Sequence, residues 1–90
     1  MAFEGMDVEQ VSSALSTIGN AVNELESLIG STNNAYQLLE QSWTGPDATQ
    51  FHNQWPSFAN ALNQAHGGLQ QLHQHLQSNL QAQQSASNQY

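Results

Sequence analysis

Along the first half of the chain, apolar side chains recur at alternating spacings of three and four residues. The series is Val8, Val11, Leu15, Ile18, Val22, Leu25, Ile29, Thr32, Tyr36, Leu39 and Trp43, in which only Thr32 is not clearly apolar. Such spacing places every member on one side of an α-helix. We therefore predict a first helix over residues 7–43.

The same spacing resumes in the second half. Its members are Phe51, Trp55, Phe58, Leu62, Ala65, Leu69, Leu72 and Leu76, and the pattern then fades into a Gln- and Ser-rich tail. We predict a second helix over residues 47–82 and a frayed tail over residues 83–90. A kink is expected near Pro56, because proline inside a helix removes a hydrogen bond and clashes with the preceding turn.

Residues 44–46, Thr-Gly-Pro, separate the two predicted helices. Thr44 suits the N-cap of the second helix with Asp47 completing a capping box, and Pro46 suits the first turn. A connection this short folds the second helix back along the first, with Tyr36 level with Phe58. Trp43 would then close the tip of the hairpin, and Gly45 would leave the backbone room to pass its ring.

The apolar stripe of the first helix is wider than a two-helix contact needs, since Ala14, Ala21, Leu28 and Ala35 extend it. A chain of 90 residues also has a marginal core. We expect one all-α domain over residues 1–90, an antiparallel helix-turn-helix hairpin that dimerises into a four-helix bundle. The predicted core and dimer seam comprises Val8, Val11, Leu15, Ile18, Val22, Leu25, Ile29, Tyr36, Leu39, Phe51, Trp55, Phe58, Leu62, Leu69, Leu72 and Leu76.

The excess of acidic residues bears on which classes of partner the chain can bind. The chain has seven acidic residues, no lysine or arginine, and a formal net charge of −7, with every acid between Glu4 and Asp47. Nucleic-acid binding depends on cationic side chains, so no nucleic-acid partner is expected. No apolar run approaches the ~18 residues of a membrane-spanning helix, and residues 1–10 lack the features of a classical secretory signal. A homodimer would bring two acidic chains together, whereas a basic relative would remove that repulsion.

Catalytic, cofactor and metal sites are not expected. The chain has no cysteine, a thin bundle offers little pocket for perturbed carboxylates, and His66 and His73 stand about 10 Å apart on one helix, too far to share a metal. His52 and His66 lie beside the seam, level with Glu40 and Glu26. One hypothesis is that they form cross-helix acid–histidine pairs; the alternative is that the histidines are simply solvated.

The Trp-Thr-Gly tripeptide at residues 43–45 lies near the centre of the predicted hairpin and is followed by Ala48, Phe51 and Trp55. This arrangement resembles the WXG-motif family of early-secreted-antigen-like proteins, which are substrates of the type VII (ESX) secretion system. The resemblance implies a small secreted protein, exported by a membrane ATPase without a cleaved signal peptide. It also implies a homodimer, or a heterodimer with a related WXG-motif protein.

The resemblance assigns roles to individual residues. Trp43 and Gly45 match the turn and secretion motif. Tyr90 matches the tyrosine of a C-terminal signal that resembles Y-x-x-x-[DE], but the acidic position is missing. Either the chain is trimmed, or a dimer partner carries the signal, or this member uses none in this form. The alternative to the whole interpretation is an intracellular helical-bundle scaffold or adaptor with no role in secretion.

Overall fold

The computed structural model describes residues 6–88, which form two long helices joined by one tight turn. Helix α1 runs over Val8–Ser42 and has 35 residues. Helix α2 runs over Pro46–Asn88 and has 43 residues. The helices pack side by side in a rod of 68 × 20 × 17 Å. The prediction of an all-α helical hairpin is therefore confirmed.

Local hydrogen bonds define both ends of α1. The Asp7 carboxylate accepts a hydrogen bond from the Gln10 amide at 3.2 Å, which caps the N-terminus with a negative charge. At the other end Trp43 turns into an extended conformation with φ −131° and ψ 119°. Its amide still donates to the Leu39 carbonyl at 3.0 Å. The helix therefore ends at Ser42, and the chain leaves it at the tryptophan.

The turn has a different cap from the predicted one. Helix α2 begins at Pro46, whose fixed φ and missing N–H suit the first helical position. The Gly45 carbonyl accepts the first helical hydrogen bond, from the Thr49 amide at 2.9 Å. Gly45 thus stands at the N-cap position that was predicted for Thr44. Gly45 also has φ +112°, and a Cβ built on it would have no heavy atom within 4 Å. Its positive φ, and not room for the Trp43 ring, accounts for the glycine.

Helix α2 continues without interruption past Pro56 and through Asn88. Proline has no amide hydrogen, so the His52 carbonyl loses its usual helical donor at this point. The ring of Pro56 lies on the exposed side of the helix. The tail that was predicted to fray from residue 83 is helical as far as residue 88, and the two residues beyond it lie outside the described part of the chain.

The core of the hairpin is thin. Within the described residues, the buried apolar side chains are Val22, Ala48 and Leu80, at 8, 1 and 6% exposure. Most other seam residues of α1 are only partly covered by α2. Each helix covers only one side of the other. A two-helix hairpin therefore buries little apolar surface by itself.

Candidate interaction surface

The face that α2 turns toward α1 coincides with the predicted seam at Trp55, Leu62, Leu69 and Leu76 and differs from it elsewhere. One series of its more buried residues is here called the inner stripe: Ala48, His52, Trp55, Ala59, Leu62, His66, Leu69, His73, Leu76 and Leu80. Phe51, a member of the predicted seam, is partly buried beside it. The residues of the inner stripe also recur at spacings of three and four, so they fit a helix as well as the predicted series does. Phe58 and Leu72 belong to the predicted series but lie outside the inner stripe, at 53 and 54% exposure.

A close approach between Gly19 and His73 fixes which edges of the helices meet. A Cβ on Gly19 would lie 3.2 Å from His73 Nε2, so the missing side chain makes space for the imidazole ring. A groove on the same side is lined by Gly19, Asn20, Val22 and Asn23 of α1 and by Gln70, His73 and Gln74 of α2. This side of the hairpin is the polar face, and it also carries Glu26 in helical register with Gly19.

The opposite side of the hairpin is apolar. On α2 it carries Phe58 and Leu72, which are displaced from the inner stripe away from His73. On α1 the corresponding edge carries Ala21 and Leu28, and Leu28 is 56% exposed. The hairpin leaves Phe58, Leu72 and Leu28 each more than half exposed. We call this side the apolar face.

An aromatic cluster occupies the end of the hairpin near the turn. Tyr36 of α1 stacks on Trp55 of α2 with ring centroids 4.4 Å apart and planes 5° from parallel. Trp43 lies against Phe51 at 5.5 Å, and Trp55 lies against Phe58 at 5.5 Å. Tyr36 was predicted to lie level with Phe58 and pairs with Trp55 instead. The cluster links the end of α1 to the first four turns of α2, and its outer members Trp43 and Phe58 remain exposed.

Two features of its surroundings raise the pKa of Tyr36, which lies in the cluster. Desolvation by the surrounding side chains raises the pKa of its hydroxyl above the ordinary value of 10.0, and the Glu40 carboxylate raises it further. Both effects disfavour the phenolate, because burial and a neighbouring negative charge each oppose ionisation to an anion.

The histidines of the inner stripe make no acid–histidine pairs of the kind hypothesised above. His52 Nε2 lies 3.4 Å from the Trp43 carbonyl oxygen, so this ring contacts the first residue of the turn and not Glu40. His52 Nδ1 and His66 Nε2 are shielded from solvent and have no hydrogen-bond partner. The inner stripe therefore holds imidazole rings as packing groups between the helices.

Within the described part of the chain, clusters of metal-ligating side chains and membrane-spanning helices were both sought. Residues 6–88 contain no group of three or more His, Asp or Glu side chains arranged to hold a metal ion. Neither α1 nor α2 is both long and apolar enough to cross a membrane. Comparison of the chain with family models, curated proteins and solved structures gives no match.

The structure places Trp43 and Gly45 in the turn and does not describe the third candidate residue, Tyr90. Trp43 ends α1 and is 37% exposed, and Gly45 follows it in the turn. Tyr90, the candidate signal residue, lies outside the described residues. His52 was missed as a turn-contacting residue, although its place in the series with Ala48 and Trp55 could have indicated it.

Proposed function

We propose that this protein is a small secreted substrate of a type VII (ESX) secretion system and acts as a dimeric protein-interaction module. The observation that carries the proposal is the Trp-Thr-Gly turn between two antiparallel helices whose apolar side chains are left half exposed. The family resemblance supplies the export route, with a membrane ATPase and no cleaved signal peptide. No catalytic activity is part of the proposal.

A second helical hairpin suits the exposed side chains better than any small ligand. Phe58, Leu72 and Leu28 are spread along a rod 68 Å long, whereas a small-molecule site gathers its apolar groups in one concave pocket. Four helices that share one core would cover them, as in a four-helix bundle. The partner under this proposal is a second copy or a related WXG-motif protein.

Export is tested by expressing the chain in a host with a type VII system and in the same host without the secretion ATPase. We expect the intact, uncleaved chain in the medium of the first host only. Trp43→Ala and Gly45→Ala should abolish export, and Gly30→Ala serves as the matched control because Gly30 lies in α1 with open space around it. Circular dichroism of each variant checks that it remains helical.

Two results would contradict the proposal. Export that is independent of the ATPase would remove the assigned route. Retention of the wild-type chain inside a secretion-competent host would favour the intracellular scaffold.

A further inference from the structure

One side-chain hydrogen bond joins α2 back to the turn. His52 Nε2 lies 3.4 Å from the Trp43 carbonyl oxygen, and the two residues are 9 positions apart. The other side-chain hydrogen bonds of residues 6–86 join positions three or four apart, within a helix or its cap. Within that range, the contact between His52 and Trp43 is therefore the side-chain hydrogen bond that connects the motif tryptophan to the second helix.

The Trp43 carbonyl is a group that α1 does not satisfy by itself. The last four carbonyls of an α-helix have no helical donor, and Trp43 caps the end of α1. His52 lies in the second turn of α2, which begins at Pro46, and it belongs to the inner stripe that faces α1. Its ring is therefore placed where it can supply the missing donor.

The same contact determines which nitrogen of the His52 ring carries a hydrogen. A carbonyl oxygen accepts hydrogen bonds and cannot donate one, so Nε2 is the donor and holds the hydrogen. Nδ1 is shielded from solvent and has no hydrogen-bond partner. A hydrogen on Nδ1 would be a buried donor without an acceptor, which is costly. The geometry is that of a neutral ring with its hydrogen on Nε2.

Three aromatic rings surround the imidazole of His52. The ring centroids of Tyr36, Trp43 and Phe51 lie 5.5, 6.1 and 6.1 Å from it, with planes inclined at 72, 67 and 76°. Trp43 also lies against Phe51. The tryptophan therefore contacts α2 in two ways, through its ring with Phe51 and His52 and through its carbonyl with His52.

The carbonyl contact bears on how Trp43 is presented. Helix ends fray, and the chain after Trp43 runs into Gly45, whose positive φ marks the reversal of direction. A hydrogen bond to the carbonyl restricts rotation of the peptide unit at this point. Because Trp43 remains 37% exposed, a fixed backbone also fixes the direction in which the indole ring meets a partner.

We propose that His52 is a positioning residue of the Trp-Thr-Gly turn. Its neutral ring donates from Nε2 to the Trp43 carbonyl and fixes the orientation in which the exposed indole meets the export machinery. This inference deepens the proposed function and rests on it for the role in export, whereas the hydrogen bond itself is independent of export.

The position of the hydrogen on His52 is measured by NMR on the wild-type chain. A long-range ¹H–¹⁵N correlation spectrum at pH 8, with ¹⁵N-labelled histidine, distinguishes a protonated ring nitrogen from a bare one. We expect a hydrogen on Nε2 and none on Nδ1 of His52, and exchange between both tautomers in His75, which is exposed. A hydrogen on Nδ1 of His52, or exchange like that of His75, would overturn the hydrogen bond.

Two amide substitutions separate the hydrogen bond from the ring. In His52→Gln the amide nitrogen takes the place of Nε2 and can donate to the Trp43 carbonyl, whereas in His52→Asn it takes the place of Nδ1 and stops short of that oxygen. Both variants lose the aromatic ring, so a difference between them reports the hydrogen bond. His75→Asn, a change at an exposed position of the same helix, is the matched control.

Export and the order of the Trp43 ring are measured on the same variants. His52→Asn should lower ATPase-dependent export at least fivefold and should lower the heteronuclear NOE of the Trp43 indole N–H, while that of Trp55 stays unchanged. His52→Gln and His75→Asn should export within twofold of wild type and leave both indole signals unchanged. Circular dichroism checks that every variant remains helical.

The outcomes distinguish this inference from the proposed function. Equal export of His52→Asn and His52→Gln would overturn the positioning role, and so would export lost in His52→Asn while the Trp43 indole stays ordered. A wild-type chain that is retained in the cell would overturn the proposed function instead. The tautomer and the indole NOE would then still decide whether His52 holds Trp43.

Discussion

Gly45 is the residue whose backbone conformation most limits what can replace it. Its φ of +112° belongs to a region that side chains with a Cβ rarely adopt. Trp43 caps the end of α1 and Pro46 begins α2, so the chain reverses its direction at the glycine between them. Its role in the turn is therefore conformational, whatever role it has in export.

Replacing Gly45 by alanine should lower the free energy of unfolding by about 1 kcal/mol or more, because the positive φ must be kept or the turn rebuilt. Urea denaturation followed by circular dichroism measures the change. Gly30→Ala is the control, since its helix would gain up to about 1 kcal/mol from alanine. A Gly45→Ala variant as stable as wild type would show that the turn adopts another conformation.

Tyr36 provides a spectroscopic measure of the cluster. With Tyr90→Phe as background, ultraviolet titration should show a pKa above the ordinary 10.0. Glu40→Gln should lower that pKa partway, because it removes the carboxylate and leaves the desolvation, and Glu26→Gln should not change it. The raised pKa means that the neutral phenol stabilises the hairpin below pH 10 and that this contribution is lost as the pH rises through the raised value. An unshifted Tyr36 would mean that Trp55 does not cover it.

At the scale of the helices, the sequence predicts where they lie better than how they face each other. The spacing of apolar residues, Asp7 at the start of α1 and Pro46 at the start of α2 are local signals, and the helix ends follow them closely. The face of α2 depends on a tertiary fit. Trp55 belongs to both the predicted series and the inner stripe, so periodicity alone could not decide whether Phe58 or Ala59 turns toward α1.

The packing contact that sets which face of α2 meets α1 involves a glycine and a histidine, whose positions a hydrophobic pattern does not include. Neither Gly19 nor His73 belongs to the predicted seam. The structure places one against the other. A histidine ring packs between helices when the opposite position has no side chain, and such a pair is invisible when each helix is considered separately. The aromatic pairing of Tyr36 was misplaced for the same reason.

Glycine substitutions in the two helices should have unequal effects. Gly67→Ala should raise the free energy of unfolding by about 1 kcal/mol, because a Cβ there meets no atom within 4 Å and alanine favours the helix. Gly19→Ala should gain less, since its Cβ would crowd His73. Adding His73→Ala should restore the gain, and a double-mutant cycle measured by urea denaturation gives the coupling. Equal gains at both glycines would mean that the His73 ring moves freely away.

At the scale of the whole molecule, the absence of lysine and arginine changes the expected response to salt. Charged surfaces usually mix attractive and repulsive pairs, and salt screens both. Here the acidic residues have no permanent cation to pair with, so the favourable charge contacts are those of Asp7, Glu9 and Asp47 with helix N-termini. Screening should chiefly relieve repulsion.

The free energy of unfolding at pH 8 should therefore increase as sodium chloride is raised from low to physiological concentration, by less than about 1 kcal/mol. Thermal unfolding at constant buffer concentration measures the trend. A Glu24→Gln variant has a smaller net charge and should show a smaller increase. Stability that falls with salt would show that the helix N-terminal contacts outweigh the repulsion.

The aromatic cluster near the turn leads us to expect a particular order of folding. Tyr36 and Trp55 are separated by fewer residues than the contacting pairs at the open end of the hairpin, so bringing them together costs less chain entropy. Once they are in contact, each further pair closes only a short additional loop. Contacts between the two helices should therefore form first at the cluster and then successively toward the open end of the hairpin. Stopped-flow kinetics should show that Tyr36→Ala slows folding, whereas Leu76→Ala mainly accelerates unfolding. Native-state hydrogen exchange should be slowest beside the turn and fastest where the two helices part.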